Sequence, residues 1–187
     1  SAYVHAGSSS EYGVNAAGPS EADSLIPNSH YAVSKAAAAA AVTYYGKIRG
    51  LPAVNLRLYS VYGPYEDSSR LIPVLCEHIE RGALPAFAEA NVSRDFIYVD
   101  DVVEAFIDAA LKMSPELAGE SINIGSGTPT TLGALASLTK ELFSIDEEPQ
   151  FRASVGRAWD TENWFANPEK AEKLLGWRAE TRLDQGL

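Results

Sequence analysis

Tyr3-Val4-His5-Ala6-Gly7-Ser8-Ser9-Ser10-Glu11-Tyr12-Gly13 opens the chain with a short apolar run that breaks into glycine and serine. It reads as a buried strand from Tyr3 to Ser8 ending in a polar turn. A Gly- and Pro-punctuated loop runs from Tyr12 to Pro27; Asn28 or Ser29 then caps a helix over about Tyr31 to Arg49, and Gly50 stops it. Ala53-Val54-Asn55-Leu56-Arg57-Leu58 reads as a second strand, broken at Gly63-Pro64. Leu71 to Arg81 has helical periodicity, and Phe96-Ile97-Tyr98-Val99 is strand-like. Asp100-Asp101 sits at a helix start, where the macrodipole favours negative charge. Then come a strand at Ile122-Asn123-Ile124, a Gly125-Ser126-Gly127 turn, a Thr131-capped helix through Phe143, a strand near Gln150 to Ala153 and a helix from Pro168 to Leu175. Strands alternating with helices predict an α/β fold with parallel crossovers. The alanine run from Ala36 to Ala41 favours helix and reads as tight packing, chain-to-chain contact being one version of it.

The 187 residues are 46% apolar and 21% charged, the profile of a soluble globular protein and not of a disordered one. Acidic residues outnumber basic ones 25 to 15, and a surface with net charge −10 is a poor partner for nucleic acid or an anionic bilayer. A phosphate-bearing ligand must therefore be held by a few placed arginines. The single cysteine, Cys76, excludes an internal disulfide and fits a reducing, cytoplasmic compartment; on a helix it reads as a small core residue. No apolar run approaches the roughly 20 residues of a membrane span, and no signal peptide is visible. His5, His30 and His78 lack the spacing of a metal site, so no metal is expected. Trp159, Trp164 and Trp177 read as packing of a small carboxyl-terminal lobe. A first residue already inside a strand leads us to expect a piece of a longer protein.

Tyr31 and Lys35 are four apart on the predicted helix and so share a face. A free tyrosine, with a pKa of about 10, holds its proton at neutral pH. A neighbouring ammonium favours the phenolate, which makes such a pair a general acid/base for interconverting a hydroxyl and a ketone. Alone, the pair is as readily an accident of a solvated helix face. The serines at the end of the first strand add weight, because open α/β sheets place ligands at the carboxyl ends of their strands.

These stretches together resemble the carboxyl-terminal portion of an extended short-chain dehydrogenase/reductase of the NAD-dependent nucleotide-sugar epimerase/dehydratase family. The resemblance rests, in order, on Gly7 to Gly13, Tyr31-Ala32-Val33-Ser34-Lys35, Leu56-Arg57-Leu58-Tyr59-Ser60-Val61-Tyr62-Gly63-Pro64, Arg94 to Asp101, Ile122 to Gly127 and Leu174-Leu175-Gly176-Trp177. It implies Tyr31 as catalytic acid/base, and Lys35 favouring its phenolate and bonding the nicotinamide ribose. It implies Ser8 as the catalytic hydroxyl, with Ser9 the adjacent alternative, and Tyr59 on the cofactor side. Ser9, Ser10, Arg94 and Arg157 fall on the side of the nucleotide-diphosphate sugar, the arginines as forks for its phosphates.

Three departures bear on mechanism. Where the family's dehydratases carry an acidic pair after the catalytic hydroxyl, this chain has Ser9 and Ser10, with Glu11 one residue late; epimerisation or keto reduction therefore ranks above 4,6-dehydration. Ser60 stands where many epimerases have asparagine. The family's Gly-x-x-Gly-x-x-Gly phosphate loop is absent, and Gly125-Ser126-Gly127 mimics it without the third glycine. The expectation is the carboxyl-terminal part of a Rossmann-type parallel sheet, 1–62 and 97–127, with a small α/β substrate-binding lobe, 63–96 and 128–187. The function expected of the full-length protein is NAD- or NADP-dependent epimerisation of a nucleotide sugar through a transient ketone, in a homodimer joined by the Tyr31 helix. The fragment alone is expected to be inactive. A 4-keto reductase, a 4,6-dehydratase, or a silent ligand-sensing or scaffolding relative are the alternatives.

Overall fold

The computed structural model describes residues 1–151 and 162–187. Three parallel strands, β1 (Tyr3–Ser8), β2 (Ala53–Leu58) and β6 (Ser121–Ile124), form the main sheet in the order β1-β2-β6. Their register pairs Ser8 with Leu58 and Leu58 with Ile124, so the three strands finish level with one another. β2 is buried on both faces, as parallel strands under helices are. Its alternation divides the labour: Val54 and Leu56 enter the apolar core, while Asn55 and Arg57 project to the other face.

Helix α1 (His30–Thr43) crosses from β1 to β2 and lies against both. Ser29 is its cap, the Oγ accepting from the Ala32 amide at 3.1 Å. The helix runs on through a single π turn, Tyr44–Ile48, close to the predicted end. There Gly46 meets the backbone of Gly119 so closely that a Cβ would sit 2.1 Å from the Gly119 nitrogen. Helix α3 (Val99–Leu111) has Asp100 and Asp101 in its first turn, and α5 (Glu169–Leu175) ends at left-handed Gly176. That turn lays Trp177 back on the sheet core, its Nε1 donating to the Asp101 carbonyl at 2.9 Å. Trp177 thus packs the sheet and not the lobe expected from the sequence.

A second apolar cluster joins Tyr62, Ile72, Leu75, Phe87, Leu132 and Leu135. It is built from β3 (Ser60–Tyr62), α2 (Leu71–Ile79), β5 (Phe96–Tyr98) and α4 (Leu132–Phe143), with α6 (Leu183–Gly186) against β5. β3 pairs with β5 in parallel, and β4 (Ser93–Arg94) with β7 (Thr130–Thr131) antiparallel. Of the strand expected near Gln150, only Phe151 lies among the described residues with a bridge, to Phe87; 152 and 153 lie outside them. Cys76 is exposed on α2, against the expectation of a core residue. No helix among the described residues is long and apolar enough to cross a membrane.

Candidate active site

The level ends of the three strands leave an edge where side chains from several elements converge. β1 delivers Ser8 there and turns at once into one 3-10 turn, Ser9–Tyr12. Ser8 caps that turn. Its Oγ accepts from the Ser10 amide at 3.2 Å and lies 2.7 Å from the Ser10 Oγ, while its own amide donates to Glu11 Oε1 at 3.0 Å. Across the edge, the first turns of α1 carry Tyr31 and Lys35. The Lys35 ammonium donates to the Ala6 carbonyl of β1 at 2.8 Å and lies 5.6 Å from the Tyr31 ring centre. Tyr31 is 56% exposed.

Ser8, Tyr31 and Lys35 open onto one cleft of about 980 Å³. Ser9, Ser10, Tyr59 and Arg94 line it too, so the structure gathers every described site residue that the sequence predicts; Arg157 lies outside the described residues. The details differ among them. Ser9 is buried, and its Oγ accepts from the Trp164 indole Nε1 at 2.8 Å. The Tyr59 ring is buried with its hydroxyl unpartnered among the described residues. Burial first, and then the neighbouring Tyr12 and Asp95, push that phenol far above its ordinary range, so it stays neutral. The Arg94 guanidinium stands 5.9 Å over the Trp164 ring and donates to the Ser93 carbonyl at 2.7 Å. Its neighbour Asp95 turns inward and receives the Ser126, Gly127 and Ala166 amides at 2.8, 2.9 and 3.0 Å. Asp95 thereby ties β5 to the turn after β6 and to the strip bearing Trp164. Its burial pushes the carboxyl up, against the pull of those donors.

Sequence reasoning missed several cleft residues, four of which bring charge or a ring N–H. Glu66, Asp67 and Arg70 lie on the loop after β3, and Trp164 reaches the cleft from a segment read as lobe packing. It also missed what Glu11 does. Glu11 is 0% exposed, beneath the cleft floor. Its Oε2 accepts from Arg57 Nε at 2.7 Å, and both oxygens accept from Asn55 Nδ2 at 3.2 and 3.3 Å. Arg57 also donates to the Tyr12 hydroxyl at 2.7 Å and lies 4.6 Å from that ring's centre, and Tyr12 donates on to Asn123 at 2.8 Å. Burial outweighs Arg57 and pushes the Tyr12 phenol up to about 12. The polar alternation of Asn55 and Arg57 in an otherwise apolar strand was the signal for this network. Among the described residues, no group of three His, Cys, Asp or Glu could hold a metal ion.

Residues 1–125 match the model of the NAD dependent epimerase/dehydratase family. The trifunctional UDP-glucose 4,6-dehydratase/UDP-4-keto-6-deoxy-D-glucose 3,5-epimerase/UDP-4-keto-L-rhamnose-reductase of Arabidopsis thaliana is 30% identical over 99% of this chain and 28% of its own length. The crystal structure of UDP-glucose 4-epimerase from Thermotoga maritima with UDP-glucose superposes with a TM-score of 0.86 at 29% identity, over 98% of this chain and 60% of that one. UDP-glucuronic acid 4-epimerase from Bacillus cereus, in complex with UDP-glucuronic acid and NAD, gives 0.85 at 28% identity, over 98% and 58%. The chain therefore spans under two thirds of the length of each.

Proposed function

We propose, since the chain belongs to the NAD dependent epimerase/dehydratase family, that the full-length protein epimerises a nucleotide-activated sugar with NAD as its cofactor. The cleft residues fit the nicotinamide end of that cofactor. Lys35 has three N–H donors, and the Ala6 carbonyl takes one, which leaves two for ribose hydroxyls. When bound there, NAD would supply reversible hydride chemistry at the sugar carbon. No Gly-x-x-Gly-x-x-Gly stretch occurs in this chain, so in this reading the pyrophosphate and adenine are held by residues outside it.

Tyr31 takes the proton of the reacting hydroxyl as its carbon becomes a ketone, and gives it back on the return. Ser8 assists at the same oxygen. Ser10 occupies the acceptor side of the Ser8 hydroxyl with its amide and, when it donates, its Oγ; the Ser8 hydrogen is then left to point at substrate. Arg94 and Arg70, which both line the cleft, draw the diphosphate, and Arg157 is read as a further phosphate residue. Eliminating water would need a further acid and base at the leaving hydroxyl. Ser9 and Ser10 supply neither, and Glu11 is enclosed with Arg57, so epimerisation stands ahead of dehydration. Residues 1–62 and 97–127 are read as the cofactor domain, 63–96 and 128–187 as the substrate lobe. The exposed Val33, Tyr44, Tyr45 and Ile48 beside the alanine run are read as the contact between two copies.

The observation that carries this reading is that Ser8, Tyr31 and Lys35 open onto one cleft at the carboxyl edge of parallel strands. Tyr31→Phe in the full-length protein should lower turnover of UDP-glucose by 100-fold or more, the usual weight of a general acid/base. Near-normal turnover removes Tyr31 from the chemistry. Deuterium from labelled NADH accumulating stoichiometrically in product would instead mark a keto reductase.

A further inference from the structure

The loop after β3 brings two carboxylates, Glu66 and Asp67, to the cleft beside Arg70. After Gly63 and Pro64 the chain passes through Tyr65, at φ 70°, to Glu66 and Asp67 before α2 begins. Glu66 Oε1 accepts from Arg70 Nε at 3.0 Å. Its Oε2 is buried with no partner among the described residues. Burial pushes the Glu66 carboxyl up although Arg70 pulls it down. Asp67 is exposed at the rim, where the Ser69 hydroxyl and amide donate to it at 2.7 and 2.8 Å and hold its carboxyl below the usual range. Asp67 is therefore charged at neutral pH.

The two acids differ in place. Asp67 borders only the chamber that holds Ser8 and Tyr31. Glu66 borders that chamber and a second one of about 510 Å³, lined by Phe87, Leu132 and other apolar side chains. Tyr62, Glu66, Arg70 and Arg94 are common to both and form the passage between them.

We infer that Glu66 and Asp67 set the sugar specificity of this site, admitting an uncharged sugar and rejecting one that carries a carboxylate. The inference rests on the reading of the cleft as a nucleotide-diphosphate-sugar site. In that reading the reacting carbon lies at Ser8 and Tyr31, and the diphosphate is drawn to the guanidiniums of the passage. Lys35 is the other described cation lining the cleft, and it is turned onto the Ala6 carbonyl. A sugar carboxylate would thus add a negative charge to a chamber whose rim already holds the Asp67 carboxylate. The free Glu66 oxygen adds a second discrimination. It is a desolvated acceptor that a sugar hydroxyl satisfies by donating, whereas an ionised carboxylate has no hydrogen to give.

The test is calorimetric titration of the full-length, NAD-loaded protein with UDP-glucose and with UDP-glucuronate, in wild type, Glu66→Gln/Asp67→Asn and Asp67→Arg. Wild type should bind UDP-glucose at least tenfold more tightly, a difference of about 1.4 kcal/mol. The double variant should shrink the ratio of the two Kd values at least fivefold, and Asp67→Arg should bring it to one or below. A wild-type ratio at or below one overturns the inference, and so does a ratio that neither variant moves. If UDP-glucose binds with the expected preference but is not turned over, the specificity stands and the epimerase reading falls. If neither nucleotide sugar binds, both fall.

Discussion

Replacing Glu11 by glutamine keeps the shape of the cleft floor and removes one charge from a place that water does not reach. Both members of the pair are enclosed, the Arg57 side chain 5% and the Glu11 side chain 0% exposed. A buried guanidinium that loses its carboxylate keeps its desolvation cost without the compensating attraction, and breaking such a pair costs about 3–5 kcal/mol. Arg57 would retain the Tyr12 hydroxyl and ring. That places the expected loss at the lower end, about 3 kcal/mol, where a domain of about 150–250 residues melts roughly 2–4 °C lower per kcal/mol. Differential scanning of the full-length protein should thus show a drop on the order of 6–12 °C. The second arm removes the opposite charge too: Glu11→Met/Arg57→Met should melt above Glu11→Gln, because two apolar groups leave no charge stranded. A Glu11→Gln melting point within about 2 °C of wild type would refute the claim that the pair is buried and mutually dependent. So would a double variant less stable than Glu11→Gln. Because Glu11 also holds the Ser8 amide, folded Glu11→Gln protein should lose kcat more than affinity for UDP-glucose.

The other expectations follow from equally local features. Gly7→Ala should destabilise by about 1–3 kcal/mol, the usual cost of overpacking, because its Cβ would stand 2.2 Å from Asn55 Oδ1 and 2.7 Å from Glu11 Oε1; a neutral effect on the urea midpoint would show that the floor yields. Lys35→Met should weaken NAD binding and slow turnover together, since one side chain both braces the helix on the Ala6 carbonyl and faces the cleft; loss of turnover alone, with NAD affinity intact by titration, would contradict the ribose assignment. Alkaline pH should unfold the protein through its buried phenols. Tyr12 and Tyr62 are each pushed up to about 12 by burial, above the unfolded value of 10.0, so their contribution is complete below pH 10 and is lost as pH rises toward 12. A urea midpoint that stays flat across that window would disprove it.

The legible parts of this molecule are those whose information is local. Tyr31 and Lys35 meet because a helix repeats every 3.6 residues, and Ser8 lies on the ligand edge because a strand ends there. Ser29 and Thr131 advertise their helices by donors they satisfy within three residues. The unread parts are held by distance. β3, β4 and β7 have two or three residues each, too few to show a period, and take their register from long-range pairing, β3 with β5 and β4 with β7. Trp164 finds Ser9 across 155 residues, and Arg57 finds Glu11 across 46. Nothing within a window of sequence could pair them.

Glu11 shows what such distance does to a functional argument. In the sequence it is an acid one step out of register with a dehydratase's pair, which leaves open a small shift of the chain that would bring it to the sugar. In the fold that shift has no room. Its oxygens are engaged by Ser8, Asn55 and Arg57, and moving it would strand a guanidinium at a cost of several kcal/mol. The same carboxylate accepts from the amide of Ser8, the residue whose hydroxyl faces substrate in the proposed reading. In that reading, the preference for inverting a carbon over eliminating water is therefore set one layer below the cleft, by the buried Glu11–Arg57 pair.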